Sequence, residues 1–264
     1  PNILARGLVN KSIGLIGLVV SDFELMVNLD IIKAIEAEAS KYEYHVVLVS
    51  TNDDDLKEKK LPDILGGQYQ HLDGVILANV REDSVDIGQL KEMFKHVVMV
   101  HRHVENQFLD YVIIDGYIGG RLATEYLIGL GHQHIAMVSG PTSIQQYKER
   151  IRGFRDTMKE HGLESCAYVL ETNQNLEDGY RAAEKIVFEL RTPTAIFAGS
   201  DVLALGIMDA ARDYGWRIPE DLSVIGFDNI FFSRLARVPL TTIDGRMREL
   251  GTTAVQLLME RIKG

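Results

Sequence analysis

The sequence predicts an α/β protein of two doubly wound parallel sheets. Short β-branched apolar runs alternate with longer stretches of helical period, the pattern of βαβ units. The alternation restarts near the middle of the chain, and the runs are too numerous for one sheet of ordinary size. No long linker separates the halves, so the chain has to cross between two lobes through short segments.

In order, Ile13–Val20 reads as a buried strand and Leu29–Tyr42 as an amphipathic helix with Ile31, Ile32, Ile35 and Ala39 inward. His45–Ser50 is a strand, Asp55–Leu65 a polar helix, Gly74–Leu77 a strand, Ser84–Phe94 a helix and Val97–Val100 a strand. Tyr111–Ile114 reads as an edge strand. The second series opens with a helix over Tyr117–Leu130, stopped by Gly131, a residue suited to the left-handed position past a helix end. Then come strand Ile135–Ser139, helix Gln145–Glu160, strand Tyr168–Leu170 and helix Leu176–Leu190, whose Glu177 and Asp178 suit a helix N-terminus. Strand Ala195–Ala198, helix Val202–Tyr214, strands Ser223–Phe227 and Leu240–Ile243 and a closing helix Arg246–Ile262 complete it. The expected lobes are 12–130 with 245–264, and 131–244, with crossings near Leu130–Ile135 and Asp244. Open α/β sheets bind ligands at the carboxyl ends of their strands, so two such lobes predict a ligand cleft between them that closes by a hinge.

Composition narrows the function. The 264 residues are 46% hydrophobic and 25% charged, ordinary for a globular chain. Asp and Glu number 38 against 28 Lys and Arg, a net charge of -10, which opposes direct binding of a phosphate backbone by this segment. The single cysteine, Cys166, precludes an intramolecular disulfide and points to a reducing, cytoplasmic setting. No run approaches a membrane span, so no membrane partner is expected.

Enzymatic motifs are missing: neither a Gly-x-Gly-x-x-Gly nor a Walker-type phosphate loop opens a helix, and there is no Gly-x-Ser-x-Gly elbow. No catalysis and no cofactor are expected. His101, His103, His132 and His134 lack a supporting carboxylate pattern for a metal, and His132, at a helix-to-strand turn, is expected to cap carbonyls.

The candidate ligand residues sit where predicted strands end. Arg150 lies early in the helix after the Gly140-Pro141 loop, where a guanidinium offers a planar fork to vicinal hydroxyls, a carboxylate or a phosphate, or else forms a surface salt bridge. Asp228 ends the strand Ser223–Phe227 and either accepts hydrogen bonds from a polyol or holds a turn beside Asn229. Ser200 and Asp201 end one strand and begin a helix, with Asp201 the expected N-cap. In the first lobe Ser21, Asp22 and Asn28 lie between the first strand and its helix, Asn28 being either a ligand residue or an N-cap. His101 and Arg102 end the fourth strand, and Asp115 the fifth.

Several segments resemble the LacI/GalR family of regulators. Pro1-Asn2-Ile3-Leu4-Ala5-Arg6-Gly7-Leu8 is similar to the hinge between that family's DNA-reading headpiece and its sensor core, which makes 1–11 the expected hinge remnant. Gly131-His132-Gln133-His134-Ile135 with Gly140-Pro141, Arg150-Ile151-Arg152-Gly153-Phe154, Pro193-Thr194-Ala195 with Ser200-Asp201-Val202-Leu203-Ala204-Leu205-Gly206, Ile218-Pro219-Glu220-Asp221-Leu222-Ser223-Val224-Ile225-Gly226-Phe227-Asp228-Asn229 and Pro239-Leu240-Thr241-Thr242-Ile243 follow its motifs in order. The likeness spans essentially the whole chain.

The resemblance implies a type I periplasmic-binding-protein-like fold and a sugar-like small-molecule effector. It also implies a homodimer, and operator DNA contacted only through the headpiece. A periplasmic-type sugar carrier is the alternative from another class. The chain departs from the family at Ser200, where Asn is frequent, at Asn28, near which the family has an aromatic, and at Gln174, where some members place a stacking aromatic. The departure near Asn28 implies a more polar site, that at Ser200 argues against a direct ligand contact there, and that at Gln174 against a flat purine or pyranose face. A two-fold surface is expected from Ser84–Phe94 and from Phe231, Phe232 and Leu235.

Overall fold

The computed structural model describes residues 12–23, 26–81, 84–103, 109–190 and 193–264, so the expected hinge remnant lies outside the described residues. The chain divides into two compact units, one of 1–114 with 247–264 and one of 115–246.

The first unit is a five-stranded sheet in the order β2-β1-β3-β4-β5. Its strands are β1 (Leu15–Val20), β2 (His45–Ser50), β3 (Gly74–Ala78), β4 (Val97–Val100) and β5 (Asp110–Val112). Every pairing is parallel, with Ile16 opposite both Val46 and Gly74. Helices α1 (Met26–Lys41), α2 (Asp55–Lys59), α3 (Leu61–Gln68) and α4 (Ile87–Met93) connect the strands. β3 and β4 are buried along their whole length, which is why they read as unbroken apolar runs. The outer strand β2 is only partly covered, and β5 is the expected edge.

The polar helix expected over Asp55–Leu65 is two helices. Pro62 at the start of α3 cannot continue α2, because its ring lacks an N–H and clashes with the preceding turn. The helix expected from Ser84 starts three residues later, where the Asp86 carboxylate accepts from the Gln89 amide at 2.9 Å. Ile87, Leu90 and Phe94 belong to this unit's own core, while Met93 on the same segment is exposed.

The second unit repeats the topology. Its strands are β6 (Ile135–Ser139), β7 (Ala167–Glu171), β8 (Ala195–Ala198), β9 (Ser223–Asp228) and β10 (Thr241–Asp244), ordered β7-β6-β8-β9-β10 and all parallel. Helices α5 (Gly116–Gly129), α6 (Gln145–Glu160), α7 (Leu176–Lys185) and α8 (Asp201–Asp213) belong to it. A wider π turn over Ile186–Leu190 extends α7, keeping Ile186 in the core while Phe188 packs edge-on to Tyr214. The final helix, α9 (Met247–Lys263), returns to the first unit, where Arg261 makes two hydrogen bonds to the Asp110 carboxylate at 2.7 and 2.9 Å.

The boundary differs from the expected one at residue 130: α5 packs with the second unit. It crosses α6 so closely that a Cβ on Gly120 would fall on the Arg150 backbone, and one on Gly153 on the Tyr117 carbonyl. A pair of glycines facing two backbones is long-range information, invisible to periodicity. Gly153→Ala is expected to destabilise the second unit by about 1–3 kcal/mol through overpacking. The readout is a lower urea midpoint at unchanged slope.

Candidate functional site

Both sheets reverse direction at their first strand, so β1/β3 and β6/β8 are the switch points where helices leave in opposite senses and leave a crevice at the strand ends. In the second unit that edge carries Ser139, Gly199, Ser200 and Asp228. Arg150 reaches it from α6 and is only 2% exposed. Its Nη1 donates to the Gly199 carbonyl, and its Nη2 stands 3.6 Å from Asp228 Oδ1. The guanidinium lies 3.6 Å from the centroid of the Phe227 ring and 5.1 Å from that of Tyr147. Arg150 is therefore not a surface salt bridge.

A buried guanidinium has five donors to satisfy. Among the described residues Arg150 Nε and Nη2 and Asp228 Oδ1 have no hydrogen-bond partner, and neither do Ser139 Oγ and Gln146 Oε1. Orphaned buried donors and acceptors are costly and rare in native proteins. Here they collect at one strand edge, which fits a ligand that both donates and accepts.

Asp228 is held in an unusual backbone, with φ 113° followed by φ 57° at Asn229. The brace is Asp201. Its carboxylate accepts from the Ile230 amide at 2.9 Å, from Ser233 Oγ at 2.5 Å and from Thr242 Oγ1 at 2.5 Å. Left-handed non-glycine residues persist only where the surroundings over-determine them. Gly226 is required beside this brace, since a Cβ there would fall on the Asp201 carboxylate.

The helix N-cap expected at Asp201 is instead Ser200, whose hydroxyl accepts from the Leu203 amide at 3.3 Å. Gln174 is half-buried and accepts from the Tyr147 hydroxyl at 3.0 Å, so it touches the ring that flanks Arg150. Asp115 belongs to the second unit, where it is exposed and caps α5 through the Ile118 amide at 2.9 Å.

In the first unit the strand ends gather Ser21, Asn28, Asn79, His101 and Arg102, all buried, with Asp22 half-buried beside them. Ser21 Oγ has no hydrogen-bond partner among the described residues. Asn28 is not an N-cap: α1 begins at Met26, and the amide donates to the Asp22 carbonyl at 2.6 Å and accepts from Asn79 at 2.5 Å. Asn79 and His101 both have left-handed backbones, φ 59° and 68°.

The four histidines weighed as metal donors are otherwise engaged. His101 bonds Asn79 at 2.5 Å, and His103 stacks on Tyr111 at 4.7 Å. His134 lies 3.9 Å from the Cys166 sulfur. His132 does not cap carbonyls; it bridges Thr194 Oγ1 at 2.8 Å and Ser223 Oγ at 3.0 Å.

Sequence reasoning missed Asn79, Tyr147 and Phe227. Asn79 had a signal, as the first polar residue after a fully buried strand, the same logic that marks Asp228. Tyr147 lies one turn before Arg150 on the same helix face. Phe227, inside an apolar strand, carried none.

A repeated 2-1-3-4-5 parallel sheet with buried polar groups at its strand ends defines a class of two-unit ligand-sensing proteins, and comparison with known sequences agrees. A family model described as a periplasmic binding protein-like domain matches residues 124–264. The HTH-type transcriptional regulator DegA of Bacillus subtilis (strain 168) is 34% identical over 255 residues, 95% of this chain and 75% of its own length. The HTH-type transcriptional repressor PurR of Pasteurella multocida (strain Pm70) is 36% identical over 265 residues, 99% of this chain and 78% of its own. Among solved structures, a LacI family transcriptional regulator from Enterococcus faecium with bound ribose superposes with a TM-score of 0.82 at 28% identity, covering 94% of this chain and 90% of that one. The chain belongs to the LacI family of transcriptional regulators and forms an effector-sensing core of that family. No helix among the described residues is long and apolar enough to cross a membrane.

Burial raises the Asp228 carboxyl from its ordinary 3.8 to about 8, outweighing the nearby Arg150 and reinforced by the negative Asp201. Between those values the folded protein holds a proton that the unfolded chain has released. The contribution of Asp228 to stability therefore declines as pH rises from about 4 to about 8 and levels off above. Urea melts across that range are expected to show this decline, and Asp228→Asn to flatten it.

Proposed function

We propose that the strand edge bearing Arg150 and Asp228 binds the effector, a small polyhydroxylated metabolite of the sugar class or a sugar derivative. The observation that carries this reading is the buried Arg150–Asp228 pair with hydrogen-bonding capacity left over on both partners. Vicinal hydroxyls answer both, accepting from the guanidinium and bonding the carboxyl group. The ribose bound to the Enterococcus faecium relative supports the same class.

In this reading Ser21, Asp22, Asn28, His101 and Arg102, at the strand ends of the first unit, also bind the effector. It favours a closed arrangement by its greater affinity for it. In a homodimer, closure alters the spacing of two DNA-reading headpieces and so their fit to paired operator half-sites. The matched relatives are named as transcriptional regulators, which favours this over a sugar carrier feeding a transporter. The dimer reading is supported by an apolar surface: Phe231 is 57% exposed and Leu235 63%, with Phe232 exposed beside them.

A thermal-shift screen of D-ribose, other sugars, polyols, sugar phosphates and nucleobases tests the assignment, because a ligand of the native state raises the melting temperature by mass action. Arg150→Met and Asp228→Ala are expected to weaken the responding ligand by about 2–5 kcal/mol, roughly 30-fold to several thousand-fold. Folded variants that bind it normally would place the site elsewhere. For the dimer, Phe231→Glu with Leu235→Glu is expected to convert a two-chain species into a single-chain one by sedimentation, with the urea midpoint retained.

A further inference from the structure

Three distant segments of the first unit meet in one hydrogen-bonded relay. Asn28 comes from the first turn of α1, Asn79 from the end of β3 and His101 from the end of β4. All three are buried. The left-handed backbones of Asn79 and His101 are fixed by the parallel ladder itself: the Asn79 amide donates to the Val100 carbonyl at 3.2 Å, and that of His101 to the Val112 carbonyl at 2.8 Å. Each strand end is thereby hung from its neighbour, and the two side chains are brought together.

The polarity of this relay is set at one end. An amide side chain has a face that donates and a face that accepts, and its partners decide which way it points. The Asp22 main-chain carbonyl only accepts, so Asn28 must turn Nδ2 to it, at 2.6 Å. Asn28 Oδ1 then faces Asn79 and requires a donor, which is Asn79 Nδ2 at 2.5 Å. That leaves Asn79 Oδ1 pointing at His101 Nδ1, again at 2.5 Å. A carboxamide oxygen cannot donate, so Nδ1 carries the hydrogen. Reversing either amide would set N–H against N–H or oxygen against oxygen in a buried place, where an unmade hydrogen bond is expensive.

We infer that Asn79 is a positioning residue that fixes the tautomer of His101. Its ring is held with hydrogen on Nδ1, so that Nε2 of the neutral imidazole meets its partner as an acceptor. The edge of the first unit therefore selects for donors at this point. A hydroxyl, amine or amide N–H is accommodated against Nε2, and a carboxylate or phosphate oxygen is not. The consequence for ligand choice rests on the effector site proposed above, whereas the tautomer does not. Asn79, which the sequence did not single out, becomes a specificity determinant without touching ligand.

The test is a long-range 1H–15N correlation spectrum of the 264-residue chain with 15N-labelled histidine, His101 being assigned by its loss in His101→Gln. The expected result is a neutral His101 ring protonated on Nδ1. Asn79→Leu, which removes the acceptor, is expected to lose that preference. Asn79→Asp, which restores an oxygen facing Nδ1, is expected to regain it. A His101 protonated on Nε2, alone or together with Nδ1, overturns the inference, as does an unchanged tautomer in folded Asn79→Leu. If that variant does not fold, the unsubstituted chain and Asn79→Asp still decide. The thermal-shift screen of D-ribose, other sugars, polyols, sugar phosphates and nucleobases is run alongside: the expected tautomer without a response to any of them removes the effector reading and leaves the relay standing. A normal sugar response with the wrong tautomer does the reverse.

Discussion

A guanidinium withdrawn from water has to find a partner for each donor, and the second unit is organised around meeting that demand at Arg150. The helix α6 delivers the side chain to the strand edge, the Gly199 carbonyl takes one donor, and the faces of Phe227 and Tyr147 flank the guanidinium. Asp228 lies close enough for charge interaction but beyond hydrogen-bond distance. The pair is thus incompletely satisfied by the protein. Removing the guanidinium from water costs several kcal/mol in real interiors, and at neutral pH the protonated Asp228 carboxyl does not supply a full counter-charge. In the proposed reading a polar ligand completes the bonds that the isolated unit leaves unmade.

The rest of that strand edge is what keeps Asp228 in place. A residue at φ 113° relaxes unless it is held, and Asp201 holds it by gathering donors from Ile230, Ser233 and Thr242. Burial raises the Asp201 carboxyl too, with the hydrogen bonds of Ser233, Thr242 and the 229–230 backbone working against that rise. The motif around Gly226 and Asp228 is therefore one mechanical device rather than a string of separate contacts. The glycine makes room for the Asp201 carboxylate, the carboxylate fixes the turn, and the turn aims Asp228.

The first unit sets a chain of neutral side chains at its equivalent edge, with Arg102 buried beside them. Where the second unit sets a charge beside a carboxyl group, the first arranges amides and an imidazole in a fixed order of donors and acceptors. The two edges share a topology and differ in chemistry.

Much of this was legible in the chain. Unbroken apolar runs such as Val97–Val100 and Ala195–Ala198 have to be buried on both faces, which fixes a parallel sheet and the places where strands end. Polar residues immediately after those runs then mark the edge, and Asp228, Ser21 and His101 were singled out that way, Arg150 by its place in the helix after the Gly140-Pro141 loop. Local chemistry misled where a nearer donor or acceptor won, as at Ser200 over Asp201 for the helix cap. The sequence by itself determined the strands, the helices and the polar edge at the strand ends, because each depends on residues near in the chain. Only the tertiary structure decided the unit boundary at Ile114, the brace of Asp201 on a turn some thirty residues away, and the relay through Asn79. Those depend on which backbones approach closely enough to demand glycine or to share a hydrogen bond, and that distance exists only once the sheets have formed.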